Sequence, residues 1–143
     1  MRVKRINMHK KFLSILIIVF FALGLTACDT PHTAILFNDC PITKENLLQN
    51  STKFKVGKRF YYIFVTERQI STKFIRVKIL KRDEKANFAP TKVVYCNDFR
   101  LNTDQVFYYT DYMVLNDAGY YYMMVYAMNR LDKPLATADF QVK

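Results

Sequence analysis

The amino-acid sequence predicts an all-β fold, an antiparallel β-sandwich of about seven or eight strands. Beyond residue 32 the chain consists of short runs rich in β-branched and aromatic residues, which favour strands. Asn, Asp, Pro and Gly mark turns between these runs about every ten residues. Almost none of this part has the apolar spacing of a helix. Several short strands without helices are typical of a sandwich.

The strands follow one another at regular intervals. After a first strand at 33–38, residues 40–51 contain Pro41 and a weak helical pattern, which indicates a loop or one helical turn. Segments 53–56 and 59–66 form one strand region broken near Gly57. Further strands are predicted at residues 73–81, 91–96, 105–115 with a kink, 120–128 and 135–142.

Two of these segments show which side chains the core takes. In 73–81, Ile75, Val77 and Ile79 alternate with Arg76 and Lys78, the pattern of a half-buried strand. Segment 120–128 is apolar on both faces and is therefore predicted to be a central strand.

The turn before segment 120–128 resembles a motif of immunoglobulin-like domains. Asp117, Gly119 and Tyr121 match Asp-x-Gly-x-Tyr, the tyrosine corner that leads into strand F. The resemblance implies an immunoglobulin-like sandwich in which the Tyr121 hydroxyl bonds to nearby backbone. The chain departs from the family at Met123, where such domains have cysteine, and it has no Trp. No immune-type function follows from the likeness.

The N-terminus has the features of an export signal. Five basic residues and no acidic residue precede the apolar segment 12–24, which is short for the roughly 20 residues of a transmembrane helix. Leu25-Thr26-Ala27-Cys28 then resembles the lipobox of bacterial lipoproteins. The alternatives are a membrane span or an ordinary signal peptide, and either Met1 or Met8 can be the start.

The lipobox resemblance implies a processed and lipid-anchored protein. Residues 1–27 would be a helical signal peptide cleaved between Ala27 and Cys28, and Cys28 would carry diacylglycerol and an N-acyl chain. Residues 28–32 are then a tether, and residues 33–143 are the sandwich domain. Asp29 resembles the signal that retains lipoproteins in the inner membrane, facing the periplasm, although the outer membrane is also possible.

The mature chain is moderately basic. The whole chain has 22 basic and 12 acidic residues, and the signal removes five basic ones, which leaves a net charge of +5. Ten basic residues fall in 53–82 against one acidic residue. This segment is consistent with solvated strand faces, with apposition to anionic lipid or with an acidic partner. Nucleic acid is not expected as a partner of an exported protein.

The cysteines and histidines limit the chemistry. With Cys28 lipidated, Cys40 and Cys96 form an even pair in an oxidising compartment, so a Cys40–Cys96 disulfide is predicted, with two free thiols as the alternative. His32 is the only histidine of the mature chain and lies in the tether. The mature chain therefore lacks the histidines and cysteines that a catalytic triad or a zinc site needs, and it has no phosphate-binding glycine loop. We expect no enzyme activity, no metal and no cofactor other than the lipid.

Aromatic residues are the main remaining feature. The mature chain has ten tyrosines and nine phenylalanines, and alternation along strands places some tyrosines on the outer face. Tyrosine suits contact surfaces. The sequence thus predicts a non-catalytic binding or accessory subunit of an envelope complex. Inhibition of an exogenous hydrolase, as in lipoproteins that block lysozyme, and binding of glycans or small ligands are the alternatives.

Overall fold

The computed structural model describes residues 32–82 and 91–143, which belong to the compact unit Pro31–Lys143. This part contains no α-helix, so the all-β prediction is confirmed. The predictions for Ala27, Cys28 and Asp29 lie outside the described residues. No helix within the described part is long and apolar enough to cross a membrane. Eight strands are present: β1 (Thr33–Asn38), β2 (Lys53–Phe54), β3 (Arg59–Thr66), β4 (Phe74–Arg82), β5 (Thr91–Arg100), β6 (Tyr108–Val114), β7 (Gly119–Ala127) and β8 (Ala136–Val142).

The strands form two sheets that pack face to face. One is three-stranded with the order β1-β3-β6, and the other is five-stranded with the order β2-β8-β7-β4-β5. All pairs are antiparallel except β2 with β8, which is parallel. Strands β1, β3 and β6 take the places of A, B and E of an immunoglobulin-like sandwich. Strands β4, β5, β7 and β8 take those of C, C′, F and G.

The predicted break near Gly57 is confirmed, but the two segments 53–56 and 59–66 do not form one strand region. β2 lies in the five-stranded sheet and β3 in the three-stranded sheet, so the chain crosses between the sheets at residues 55–58. Gly57, with a φ of 69°, takes the left-handed conformation that glycine tolerates best. Its N–H donates to the carbonyl of Leu115, while the N–H of Val56 donates to that of Lys143. The crossing is therefore hydrogen-bonded to the residues that directly follow β6 and β8.

Aromatic rings from both sheets meet in the core. Phe37 and Phe60 come from the three-stranded sheet, and Phe54 and Phe140 come from the five-stranded sheet. Phe54 stacks on Phe60 with ring centroids 4.5 Å apart, and Phe37 lies 5.0 Å from Phe140. These contacts cross the sheet interface. Truncating one such ring to alanine typically costs about 3–5 kcal/mol, so the cluster is a principal source of stability.

Tyr121 joins this cluster from the start of β7. Its ring stacks on Phe140 at 5.5 Å, and only 2% of the residue is exposed. Its hydroxyl donates to the carbonyl oxygen of Asp117 at 2.7 Å, which is the kind of bond that the immunoglobulin resemblance implies. Gly119 completes the turn with a φ of 154°, a backbone conformation that residues with a Cβ rarely adopt.

Replacement of Tyr121 by phenylalanine tests the energetic value of this turn. We expect Tyr121→Phe to lower the free energy of unfolding by about 1 kcal/mol, because the ring stays in place and the hydrogen bond is lost. Urea denaturation measures the change. Tyr122→Phe is the matched control, because in the described part of the chain the Tyr122 hydroxyl has no hydrogen-bond partner. Equal midpoints for the two variants would contradict the assignment.

Candidate binding face

Alternation along β7 places four large side chains on the outer face of the five-stranded sheet. Tyr121, Met123 and Val125 are buried, so the residues between and beside them point away from the core. We call the outward set the tyrosine strip: Tyr120, Tyr122, Met124 and Tyr126. The sequence predicted that the tyrosines would divide between two faces, and the structure shows which are outward.

The neighbouring strands surround the strip with charges of opposite sign. On the β4 side, Lys78 lies across from Met124, and Arg76 lies across from Tyr126. On the β8 side, Asp139 lies across from Tyr122. The strip is thus an amphipathic band with a basic border and an acidic border. Leu80 completes the row on the β4 side, and Thr137 and Gln141 complete the row on the β8 side.

An ion pair holds the basic border in place. Nε of Arg76 donates to Oδ1 of Asp98 at 2.7 Å, and Nη2 donates to Oδ2 at 2.9 Å. The hydrogen bonds from Arg76 lower the pKa of the Asp98 carboxyl, and those to Asp98 raise the pKa of the guanidinium. This bidentate geometry directs Arg76 towards β5. Lys78 is left as the cation beside the strip without an ion pair in the described part of the chain.

The tyrosines on the opposite sheet are arranged differently. Tyr61 and Tyr112 are paired across β3 and β6 with ring centroids 6.2 Å apart. Cζ of Arg59 lies 4.1 Å from the centroid of the Tyr112 ring, a cation–π contact. These rings interact with one another and with Arg59, as expected of cross-strand pairs. On the tyrosine strip, by contrast, the described side-chain bond is a weak one from the Tyr126 hydroxyl to Sδ of Met124 at 3.4 Å.

Three further residues, Tyr62, Tyr109 and Asp111, form a polar cluster on the inner side of the three-stranded sheet. Tyr62 is fully buried, and its hydroxyl makes no hydrogen bond of ordinary geometry in the described part of the chain. The nearby Tyr109 hydroxyl donates to Oδ2 of Asp111 at 3.1 Å. Burial is the main cause that raises the pKa of both phenols, and the charge of Asp111 adds to it. The group has no nucleophile–base pair and is best understood as part of the core.

The structure does not form the predicted Cys40–Cys96 disulfide. Both cysteines are free and exposed. Cys40 follows β1 of the three-stranded sheet, and its thiol donates to Oδ1 of Asn38 at 3.3 Å. Cys96 lies on β5 opposite Lys78, on the outer face of the five-stranded sheet. The alternation that packs Tyr95 against the core turns Cys96 away from it, so the sandwich itself separates the thiols.

Among residues 32–82 and 91–143, no three His, Cys, Asp or Glu side chains are grouped as metal ligands would be. His32 lies just before β1, where its backbone N–H donates to Oε2 of Glu67 at 3.4 Å.

Comparison with known proteins yields structural similarity only at low levels. No protein family and no curated protein matches the sequence. The superoxide reductase (neelaredoxin) from Ignicoccus hospitalis is 15% identical with a TM-score of 0.48, covering 85% of this chain and 90% of that chain. The soluble domain of PmoD from Methylocystis sp. is 12% identical with a TM-score of 0.46, covering 79% and 90%. Neither likeness carries an argument about function.

The free thiols give a direct test of the sheet geometry. We expect Cys40 and Cys96 both to react with a maleimide in the native protein without reductant. Both are exposed, and Cys40 follows β1 of one sheet while Cys96 lies on β5 of the other. Mass spectrometry after alkylation counts the labelled sites. A Cys40→Ser variant should retain one label at Cys96. Recovery of a Cys40–Cys96 cross-linked peptide would show that the described register of β5 is wrong.

The buried phenols predict a loss of stability in alkali. In the folded protein the Tyr62 and Tyr109 hydroxyls keep their protons to higher pH than in the unfolded chain, where tyrosine ionises at about pH 10. Their contribution to stability is therefore complete below that pH and decreases as the pH rises above it. At about pH 10.5, unfolding in urea should increase absorbance at 295 nm. The double variant Tyr62→Phe, Tyr109→Phe should reduce that increase, and an unchanged increase would contradict the assignment.

Proposed function

We propose that the protein is a membrane-anchored lipoprotein of the bacterial envelope that acts without catalysis, as a binding or accessory subunit of an envelope complex. The tyrosine strip carries the proposal. It lies on β7, the middle strand of the five-stranded sheet, with paired strands on both sides. A partner would therefore meet a rigid aromatic surface that loses little conformational entropy on binding.

The chemistry of the strip favours a protein partner. Tyrosine combines an apolar ring with a polar tip and is enriched among interface residues that contribute most to binding. Tyr120 is 47% exposed, and the other three members of the strip are partly exposed. They offer ring area for burial while their backbone is already satisfied within the sheet. The borders at Lys78 and Asp139 add charges that a complementary surface can recognise.

The anchor would keep the domain close to the bilayer. His32 is only four positions after Cys28, a reach of about 15 Å at most. Lipidation of Cys28 with two or more chains gives stable membrane attachment. Asp29 favours the periplasmic face of the inner membrane over the outer membrane. Binding on a surface of fixed orientation is what an accessory subunit requires.

Site-specific photocrosslinking in cells tests the proposed face. A benzophenone amino acid at Tyr120 should crosslink to one envelope protein. The same probe at Tyr112 should not, although Tyr112 is 49% exposed, because it lies on the other sheet. This near-equal exposure makes the two positions a matched pair. Mass spectrometry of the adducts identifies the partner.

The lipid anchor is tested in the same living cells. Cys28→Ala should abolish labelling by a fatty-acid analogue and weaken the Tyr120 crosslink. Crosslinks to one protein from both Tyr120 and Tyr112 would contradict the choice of face. Capture of an added lysozyme from Tyr120 alone would replace the accessory-subunit proposal by hydrolase inhibition, and absence of protein adducts would favour a glycan or small ligand.

A further inference from the structure

A pocket of about 600 Å³ opens at the end of the sandwich where β1 begins. It lies between the loop from β3 to β4 and the loop from β5 to β6. Two backbone hydrogen bonds join these loops, from the Ile70 N–H to Val106 at 2.7 Å and from the Leu101 N–H to Lys73 at 2.9 Å. The pocket wall is therefore fixed by sheet-like bonding. Its lining comprises Gln69, Ile70, Ser71, Thr72, Lys73, Arg100, Leu101, Asn102, Thr103, Gln105 and Val106.

The charge of the lining is positive. Among the described residues, Lys73 and Arg100 are the two charged residues of the lining, and no described carboxylate lines it. Neither cation belongs to an ion pair within the described residues, where the pairs are Arg76 with Asp98 and Arg130 with Asp132. Asp104 lies in the same loop outside the lining, where it accepts a hydrogen bond from the Tyr108 hydroxyl at 3.4 Å.

The hydrogen bonds of the lining leave donors available. Oγ1 of Thr72 accepts from the Phe74 N–H at 3.3 Å, so its own hydrogen is available. Oε1 of Gln105 accepts from the Asn102 N–H at 2.9 Å, which leaves its amide NH₂ without a partner in the described part of the chain. Backbone N–H groups thus occupy the acceptors of Thr72 and Gln105, and Oγ of Ser71 accepts from Nδ2 of Asn129 at 3.3 Å. The donors of these lining residues add to those of the two cations. Such a lining suits an anion.

We propose that this pocket binds the phosphate group of an anionic phospholipid headgroup. Arginine and lysine together with hydroxyl and amide donors are the groups that proteins use to hold phosphate. The volume exceeds that of a phosphate and admits the attached glycerol portion. Aromatic side chains, which commonly form platforms for bases and other rings, are missing from the lining as far as the structure describes it.

The position of the pocket selects lipid as the source of the phosphate. The Glu67 N–H donates to the His32 carbonyl at 3.1 Å, which ties the start of the domain to the loop that lines the pocket. His32 is four residues from Cys28, so the pocket is at the anchored end of the domain. This step rests on the proposed lipid anchor, whereas the affinity for phosphate does not.

Hydrogen exchange on the mature lipoprotein in detergent micelles tests the proposal. Adding phosphatidylglycerol should slow exchange in residues 69–73 and 101–106, and adding phosphatidylcholine should not. Lys73→Gln and Arg100→Gln should each raise the mole fraction of phosphatidylglycerol needed for half-maximal protection by about fivefold. The matched control, Lys53→Gln with Lys55→Gln, removes two exposed cations beside β2 at the opposite end and should change nothing.

Additional measurements distinguish lipid phosphate from soluble phosphate, and failure of the pocket proposal from failure of the anchor proposal. If soluble glycerol phosphate protects the same residues as strongly as the lipid, the proposal that a lipid supplies the phosphate is overturned. Absence of protection by any of these anions, in protein whose circular dichroism is native, would overturn the pocket proposal. Retention of the protein in micelles is measured independently, because Cys28→Ala abolishes it only if the anchor exists. An unanchored protein that still binds phosphate would refute the anchor and leave the anion site.

Discussion

The structure depends on the packing of aromatic rings across the interface between its two sheets. Phe37 and Phe60 can meet Phe54 and Phe140 only if each strand keeps one parity of residues inward. On β7 that constraint fixes Tyr121 in the core and its two neighbours outside. A shift by one residue would bury the strip and expose Tyr121, Met123 and Val125, so burial of the core and display of the strip are one arrangement.

The same topology separates the two proposed binding surfaces. The tyrosine strip lies on a sheet face, while the pocket with Lys73 and Arg100 lies at the end of the sandwich where the chain enters β1. A ligand in the pocket therefore need not cover the strip. In an anchored domain, contact with headgroups at one end would limit rotation about the short tether. The strip would then be presented to a partner in a restricted set of orientations, which lowers the entropic cost of binding.

The sequence predicted the features that depend on alternation of residues along a strand. It did not predict the features that depend on which strands pair with one another. Ile75, Val77 and Ile79 are all fully buried, as their spacing predicts. The separation of β2 from β3 at Gly57 depends on bonds to Leu115 and Lys143, which are far away in sequence. The pairing of Cys40 with Cys96 was inferred from an even count, and a count carries no information about faces. The pocket was missed because its two loops are brought together only by the β4–β5 and β3–β6 pairings.

The charges beside the strip bear on how selective the face can be. Lys78 and Asp139 are on strands on opposite sides of β7, about 10 Å apart at the usual spacing between strands. At that separation their mutual attraction is largely screened in physiological salt, so each is available to a partner. A partner with complementary charges can dock on this surface in one orientation, because the reversed orientation would bring like charges together. The aromatic strip would then supply affinity, and its borders would supply direction.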